Sequence, residues 1–466
     1  MARCCCSCGR IADAVGIGRL FIANRGEIAV RIIRTCRALG IETVLGVSEA
    51  DRGSLGAQMA DRVLCLGPAQ PSLSYLRVET VVQAALGSSC DAIHPGYGFL
   101  SERADLARLC EAEGVIFIGP TADQIEAVGD KLRARAAAVE AGVPVIPGGA
   151  AASSEEARAL AEIIGVPILV KAAGGGGGRG MKLVETAEDL GAIMDMASAE
   201  AEAAFGDARV YLERYVATGR HIEVQVLGDG AGRVVHLGER DCSVQRRYQK
   251  LIEETPAPHL PAATRAAMHE AAVRFAARLS YRGAGTVEFL YDTPRDAFYF
   301  LEMNARIQVE HPVTEAVTGI DLIAEQIAIA EGQRLRFTQA EVACEGAAIE
   351  CRINAEDPER DFAPSPGIVA AVRWPSGDGV RVDSHIVDGA RIPPFYDSMI
   401  AKVIAHGPSR AAALARLRTA LGETRIEGVA TNLAFQQTVL ADPDFATGGV
   451  DTGFLGRFLE AAKVAG

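Results

Sequence analysis

No apolar run in the 466 residues approaches the about 18 that would suggest a membrane span. Met1 to Arg10 also lacks the apolar core of a secretion signal. A cytoplasmic protein without a membrane partner is expected. Positive charge is in deficit. Lys and Arg number 47 against 60 Asp and Glu, a net charge of −13. Nucleic acid is thereby excluded as an expected partner, because phosphate neutralisation needs clustered cations. The basic side chains are left to act locally, in a pocket. Paired cysteine motifs are missing as well. The 11 cysteines are odd in number and scattered, which fits free thiols in a reducing compartment. Cys5 and Cys8 have CxxC spacing, but no second pair follows to complete a zinc site. Residues 1–16 are read as an extension expected to be disordered.

What is present is alternation of strand and helix. Arg19 to Ala23 reads as a buried strand, Ile28 to Leu39 as an amphipathic helix stopped by Gly40, and Glu42 to Val47 as a second strand. A mainly parallel sheet covered by helices follows from such an order. Thr121 with Gln124, and Ser153 with Glu156, are capping-box patterns. Ile168 to Lys171 predicts a strand running into Gly174–Gly178, and Met181 to Val184 predicts the return strand. Period-two alternation then places His221, Glu223 and Gln225 on one face. Segments 285–291 and 298–304 behave likewise. A helix is predicted from about Asp321 to Glu331, and another around Arg410 to Leu421. Ile349, Cys351 and Ile353 oppose Glu350, Arg352 and Asn354 on one strand.

Four features carry chemistry. Five consecutive glycines between two strands are costly in backbone entropy unless N–H groups must approach something closely, above all a phosphate. Lys171 precedes them and Arg179 follows; a flexible surface loop is the other reading. No Gly-Lys-Ser/Thr follows, so this is no Walker loop, and it does not open a helix as a dinucleotide fingerprint would. If the strands around 288 and 302 form a hairpin centred near Arg295, Glu288 faces Glu302, with Asn304 on the same face. Two such carboxylates call for a hard cation such as Mg²⁺, unless the face is simply solvated. If the alternation continues, Arg306, Gln308 and Glu310 share one pocket: an arginine fork for a small oxyanion beside a carboxylate that can take a proton. A structural Arg–Glu pair is the alternative. The polar run Glu239 to Lys250 reads as a loop lining a site.

These motifs, in this order, resemble biotin carboxylase from about Leu20 to about Phe458. The resemblance rests on Ile22 to Ala29, His94 to Glu102, Lys171 to Met181, Glu239 to Lys250, Glu302 to Thr314, Glu350 to Pro358 and Pro393 to Met399. It implies an α/β and α+β multidomain fold. The expected parts are an N-terminal Rossmann-like domain (17–129), an ATP-grasp domain (130–345, lid about 143–218) and a C-terminal biotin carboxylase domain (346–460). It implies a ligase that carboxylates biotin on a carrier protein with ATP and bicarbonate, using Mg²⁺ or Mn²⁺. By the same resemblance Lys131, Lys171, Gly175, Gly176, Gly177, Glu213, Val216, His221, Gln245 and Asn304 contact ATP. Glu288, Glu302 and Asn304 hold metal. Lys250, Arg306, Gln308 and Val309 take bicarbonate, and Glu310 is its base. Arg352 stabilises the biotin enolate, with Tyr97 and Asp397 near the biotin ring.

The chain departs from the family pattern at Tyr248, commonly histidine, and at Ala305, commonly Thr or Ser. At positions that help form a dimer contact in well-known members stand Ala38 and Asp378; a homodimer is possible by other contacts. No biotin-accepting motif or carboxyltransferase segment is recognised, so carrier protein and transferase are expected as separate chains. An acyl-CoA carboxylase is the expected parent. The other readings are a different ATP-grasp carboxylate ligase, or a non-catalytic scaffold; the run Arg306 to Glu310 opposes the first, and intact Glu310, Lys250 and Arg352 oppose the second.

Overall fold

Strand β1 (Arg19–Ile22) is buried along its length and feeds a helix over Gly26–Leu39. That helix buries Ile28, Ile32, Ile33 and Cys36 and ends at Gly40, which adopts φ +74°, a left-handed conformation glycine takes without a Cβ clash. The predicted β-α-β opening is present. With β2 (Glu42–Ser48), β3 (Arg62–Gly67), β4 (Ala92–His94) and β5 (Ile116–Phe117), β1 forms a parallel sheet in the order β3-β2-β1-β4-β5. The order reverses between β1 and β4, where the chain turns at Pro95 to Gly98. The Thr121–Gln124 capping box is formed in both directions.

The computed structural model describes residues 16–151, 154–172, 181–206 and 208–465. Gly175, Gly176 and Gly177, the Ser153 cap and the Cys4–Cys8 run lie outside the described residues. The strands flanking the glycines, β7 (Ile168–Ala172) and β8 (Met181–Val184), pair antiparallel. They join β6 (Gly148–Ala150) and β9 (Val210–Arg214) in a small sheet of order β6-β9-β7-β8. Ala157, Ile168, Val170, Leu190 and Leu212 form its own apolar cluster.

The largest sheet is eight-stranded and antiparallel. It contains β10 (Gly219–Asp229), β11 (Val234–Arg246), β12 (Gln249–Thr255), β13 (Arg282–Asp292), β14 (Ala297–Asn304) and β15 (Ala347–Asn354), then strands Met399–Gly407 and Val380–Ser384. Their order is β14-β13-β10-β11-β12-β15, followed by Met399–Gly407 and Val380–Ser384. β12 pairs with β15 through Ile252↔Cys351 and Glu253↔Glu350, so the ladder runs without a break into the C-terminal region.

Two sequence expectations are corrected. Glu239 to Lys250 is a β-hairpin, not a loop: β11 and β12 turn at Arg247 and Tyr248, both at positive φ. Residues 305–310 do not continue the β14 alternation; they form an irregular link into the helix His311–Thr318. Among the described residues no helix is long and apolar enough to cross a membrane.

Candidate active site

Above the β10–β14 face of the large sheet lies a cavity of about 550 Å³. The register places Glu288 opposite Glu302 and Thr286 opposite Asn304, the pairing the hairpin arithmetic predicts. On the other side Glu223 faces Glu288 and His221 faces Leu290. Successive carboxylates therefore crowd one sheet face, and cations answer them.

Lys250 is the hub. Its Nζ lies 2.5 Å from Glu223 Oε2, 3.0 Å from Glu288 Oε1 and 2.6 Å from Glu310 Oε1. Burial opposes the ammonium charge, but these carboxylates hold its pKa well above the ordinary lysine value. The effect on Glu310 is reciprocal: burial would raise its pKa, yet Lys250, Arg352 and Arg240 hold it well below the ordinary carboxylate value. Arg352 Nη2 donates to Glu310 Oε2 at 3.0 Å and its Nε to Glu253 Oε1 at 2.6 Å. Glu310 thus enters the cavity as a carboxylate gripped at both oxygens.

Glu288 and Glu302 differ despite their symmetry. Burial opposes ionisation of Glu288, but Lys250 and His221 lower its pKa below the usual range; His221 Nε2 is 3.0 Å from Glu288 Oε2. Among the described residues no cation is bonded to Glu302, and Lys131 and His221 reach it only through their charge. Burial, then the Glu288 charge, raises its pKa. A pair in which one carboxylate is disfavoured by the other is a donor set that a hard divalent cation fits; Asn304 follows on the same face, its Oδ1 accepting from Arg306 Nη2. His221 is itself buried, which disfavours its cation, but Glu288 outweighs this and raises its pKa. Gln245 Nε2 lies 2.9 Å from His221 Nδ1.

Gln308 donates to Glu288 Oε1 at 2.8 Å and accepts from Arg240 Nη2 at 2.8 Å. Arg306 donates to Glu102 Oε2 at 3.0 Å and to Asn304 Oδ1 at 2.7 Å. Lys131 stands in the first turn of the helix Lys131–Glu140, behind the Asp130 cap, and lines the cavity. Lys171 lines it too, with its Nζ bonded to Glu213. Val309 and Asp397 complete the wall, and the Val309 carbonyl accepts from Lys402 Nζ at 2.6 Å.

Of the side chains singled out from sequence, Glu213, Val216 and Tyr97 do not line this cavity. Glu213 lies behind Lys171, and Val216 packs near Gly219. Tyr97 is bonded to Glu27. Three residues escaped the sequence reading as site members, Glu102, Glu223 and Glu253; Arg240 fell in the polar run read as lining a site but was given no role. Arg240 has no exposed surface and binds Glu223, Gln225, Thr314 and Gln308. The period-two alternation already put Glu223 on the His221 face, which was the available signal. Glu253 and Arg240 needed the strand register. Tyr248 projects from the hairpin tip at the cavity mouth, 60% exposed.

Three family models cover the chain. The biotin carboxylase N-terminal domain matches 16–125, the carbamoyl-phosphate synthase L chain ATP binding domain 130–338, and the biotin carboxylase C-terminal domain 350–457. Biotin carboxylase 1 of Bacillus subtilis is 53% identical over 452 residues, covering 97% of this chain and 100% of the relative. A pyruvate carboxylase subunit of Methanothermobacter thermautotrophicus is 48% identical over 442 residues, covering 94% and 90%. The crystal structure of the Hydrogenobacter thermophilus 2-oxoglutarate carboxylase biotin carboxylase domain, a dimer with MgADP, ADP and bicarbonate, superposes with a TM-score of 0.90. It is 45% identical and covers 95% of this chain and 97% of that one.

Proposed function

The chain belongs to the biotin carboxylase family, an ATP-dependent ligase built of N-terminal, ATP-grasp and C-terminal domains, and on that premise we propose how its cavity divides the work. The observation that carries the reading is the Glu310 carboxylate held between Lys250 and Arg352 in the same cavity as Glu288 and Glu302.

Lys131, Lys171, His221, Gln245 and Asn304 bind the nucleotide, with Gly175, Gly176 and Gly177; Glu213 acts through Lys171, and Val216 lies just beyond β9, outside the cavity lining. Glu288, Glu302 and Asn304 would hold Mg²⁺ or Mn²⁺, which neutralises phosphate charge when bound. Lys250, Arg306, Gln308 and Val309 receive bicarbonate. Anionic substrates draw Lys250 and Arg352 away from Glu310, and the carboxylate recovers basicity as they do. Glu310 then takes the bicarbonate proton. The freed oxygen attacks the γ-phosphorus and the bond to ADP breaks, giving carboxyphosphate while Lys250 and Arg306 neutralise charge. Carboxyphosphate breaks its C–O bond to CO₂ and phosphate. Phosphate takes the ureido N–H proton of biotin, Arg352 holds the enolate oxygen beside Tyr97 and Asp397, and the nitrogen attacks CO₂.

Biotin arrives on a carrier protein. The parent assembly is a carboxylase of acyl-CoA, pyruvate or 2-oxoglutarate type, because these acceptors meet the transferase and not this cavity. The acyl-CoA type is the reading to try first, by assaying charged carrier with each transferase class. We place the domain limits at 17–129, 130–345 and 346–460.

ATP cleavage with bicarbonate, with and without free biotin, tests the assignment in wild type and Glu310→Gln. Turnover that needs bicarbonate and rises with biotin is expected, and the substitution is expected to abolish it. Equal ATP cleavage without bicarbonate would point to another carboxylate ligase.

A further inference from the structure

Behind Arg352, away from the cavity, two glutamates face each other across the β12–β15 ladder. Glu253 and Glu350 are register partners, and both side chains have no exposed surface. Directly opposed residues in an antiparallel pair hold their Cβ atoms about 4.5–5.5 Å apart, close enough for like charges to be strongly disfavoured without water.

Their hydrogen bonding is unequal. Glu253 Oε1 takes Arg352 Nε, while Glu253 Oε2 and both carboxyl oxygens of Glu350 have no partner among the described residues. On its other side Glu350 faces Ile404, which belongs to an apolar cluster with Val313, Val317 and Ala348. A carboxylate stripped of water and given no donor is among the costliest groups to bury; in practice such a group takes a proton. The charged groups that face the pair are Arg352 on β15, Lys402 on the neighbouring strand, Glu310 ahead of the helix His311–Thr318, and Lys250 on β12. Arg352 already answers Glu253 and Glu310, and Lys402 already answers Glu27 at 3.0 Å. Lys402 and Arg352 reach Glu350 only through their charge, and neither bonds it.

We propose that Glu253 and Glu350 share one proton, carried by Glu350, so that Glu253 is the single anion that aims Arg352 into the cavity. Burial, ahead of any charge effect, raises both carboxyls: Glu253 to about 7 and Glu350 well above the ordinary range. The proton has a functional reason. Arg352 already faces the carboxylates of Glu253 and Glu310, and a third anion beside it would add repulsion against an incoming oxyanion. The neutral acid packs beside Glu253 across the ladder without adding charge. Glu350 is thus a positioning residue, acting through Glu253 on Arg352. The functional half of this inference rests on the role given to Arg352 above; the protonation half does not.

Infrared difference spectra of the full chain, wild type minus E350Q at neutral pH in H₂O and D₂O, read the group directly. The expected loss is a carboxylic-acid C=O band that shifts in D₂O. Loss of carboxylate bands instead would overturn the proposal. Kinetics give a second reading. E350A is expected to lose about tenfold or more in biotin-dependent kcat/KM, and E350Q, neutral and still a donor, to restore it to within about threefold of wild type. An E350Q variant as impaired as E350A would mean that the charge is required, and would equally overturn the proposal. Should E350A not fold, the E350Q rate and spectra still decide. The spectra need no turnover, so an inactive wild type would count against biotin carboxylation while they still judge the pair.

Discussion

Arg352 Nη2 lies 3.0 Å from Glu310 Oε2, so the cation assigned to the biotin oxyanion is bonded to the base assigned to bicarbonate. Under the proposed roles, bicarbonate activation and biotin carboxylation meet at one ion pair: Glu310 is a poor base while it is closed, and an anion on Arg352 would release it.

The first prediction follows from that pair. Burial pushes the Glu310 pKa up, and Lys250 and Arg352 pull it well below the ordinary value. Removing a cation must therefore raise it. In Arg352→Met the acid limb of the pH profile for bicarbonate-dependent ATP cleavage, measured without biotin, is expected to move to higher pH. A profile that stays in place would show that Arg352 does not set the basicity of Glu310.

Metal dependence follows from the Glu288–Glu302 register. Even the loss of groups that only orient metal ligands costs about tenfold or more in metal affinity. Glu302→Gln should raise the free Mg²⁺ needed for half-maximal ATP cleavage by at least about tenfold. The measurement is turnover against Mg²⁺ at saturating ATP. Chelation of the divalent ion should abolish activity in wild type and variant alike.

Arg240 is the buried strut of the site. It has no exposed surface, binds Glu223 at 2.6 Å and orients Gln308 at 2.8 Å. Removing one partner of a buried ion pair costs about 3–5 kcal/mol, because the other charge is stranded. Arg240→Met is expected to lose that much in urea unfolding, and to weaken bicarbonate binding through Gln308.

Asp383 gives a stability prediction away from the cavity. It is 2% exposed; burial opposes its charge, but Arg381 at 2.7 Å and Lys402 lower its pKa. A carboxylate lowered on folding adds stability above its unfolded pKa, about 3.9, and loses it as pH falls through the folded value. Asp383→Asn should thus be less stable than wild type at neutral pH, by on the order of 2 kcal/mol since Arg381 is partly solvated. The difference should shrink as the pH falls below about 4. Denaturant midpoints across this range check both signs.

Much of the fold was legible because its signals are local. The helix Gly26–Leu39 ends where Gly40 permits a left-handed turn, and Thr121 with Gln124 closes a box within one turn of chain. The Glu288–Glu302 pairing was legible too, since a hairpin fixes its own register by counting outward from the turn. Two readings fail for one reason. Glu239 to Lys250 suggests a loop because it is polar, yet Arg240, Asp241 and Ser243 are buried strand residues bonded to Glu223, Arg220 and His221 of β10. Arg306 to Glu310 suggests a strand because polar residues alternate there, yet a bend and turn bring them to the same cavity.

The sequence by itself determined the identity of the chemistry: which cations, carboxylates and amides the chain carries, and on which strand faces most of them lie. Only the tertiary structure decided which of them meet. The eight-stranded sheet crosses from β12 to β15 without a break, and that crossing sets Glu253 against Glu350 and delivers Arg352 to Glu310. Pairings between strands nearly a hundred residues apart depend on three-dimensional register, which no local pattern of residues encodes.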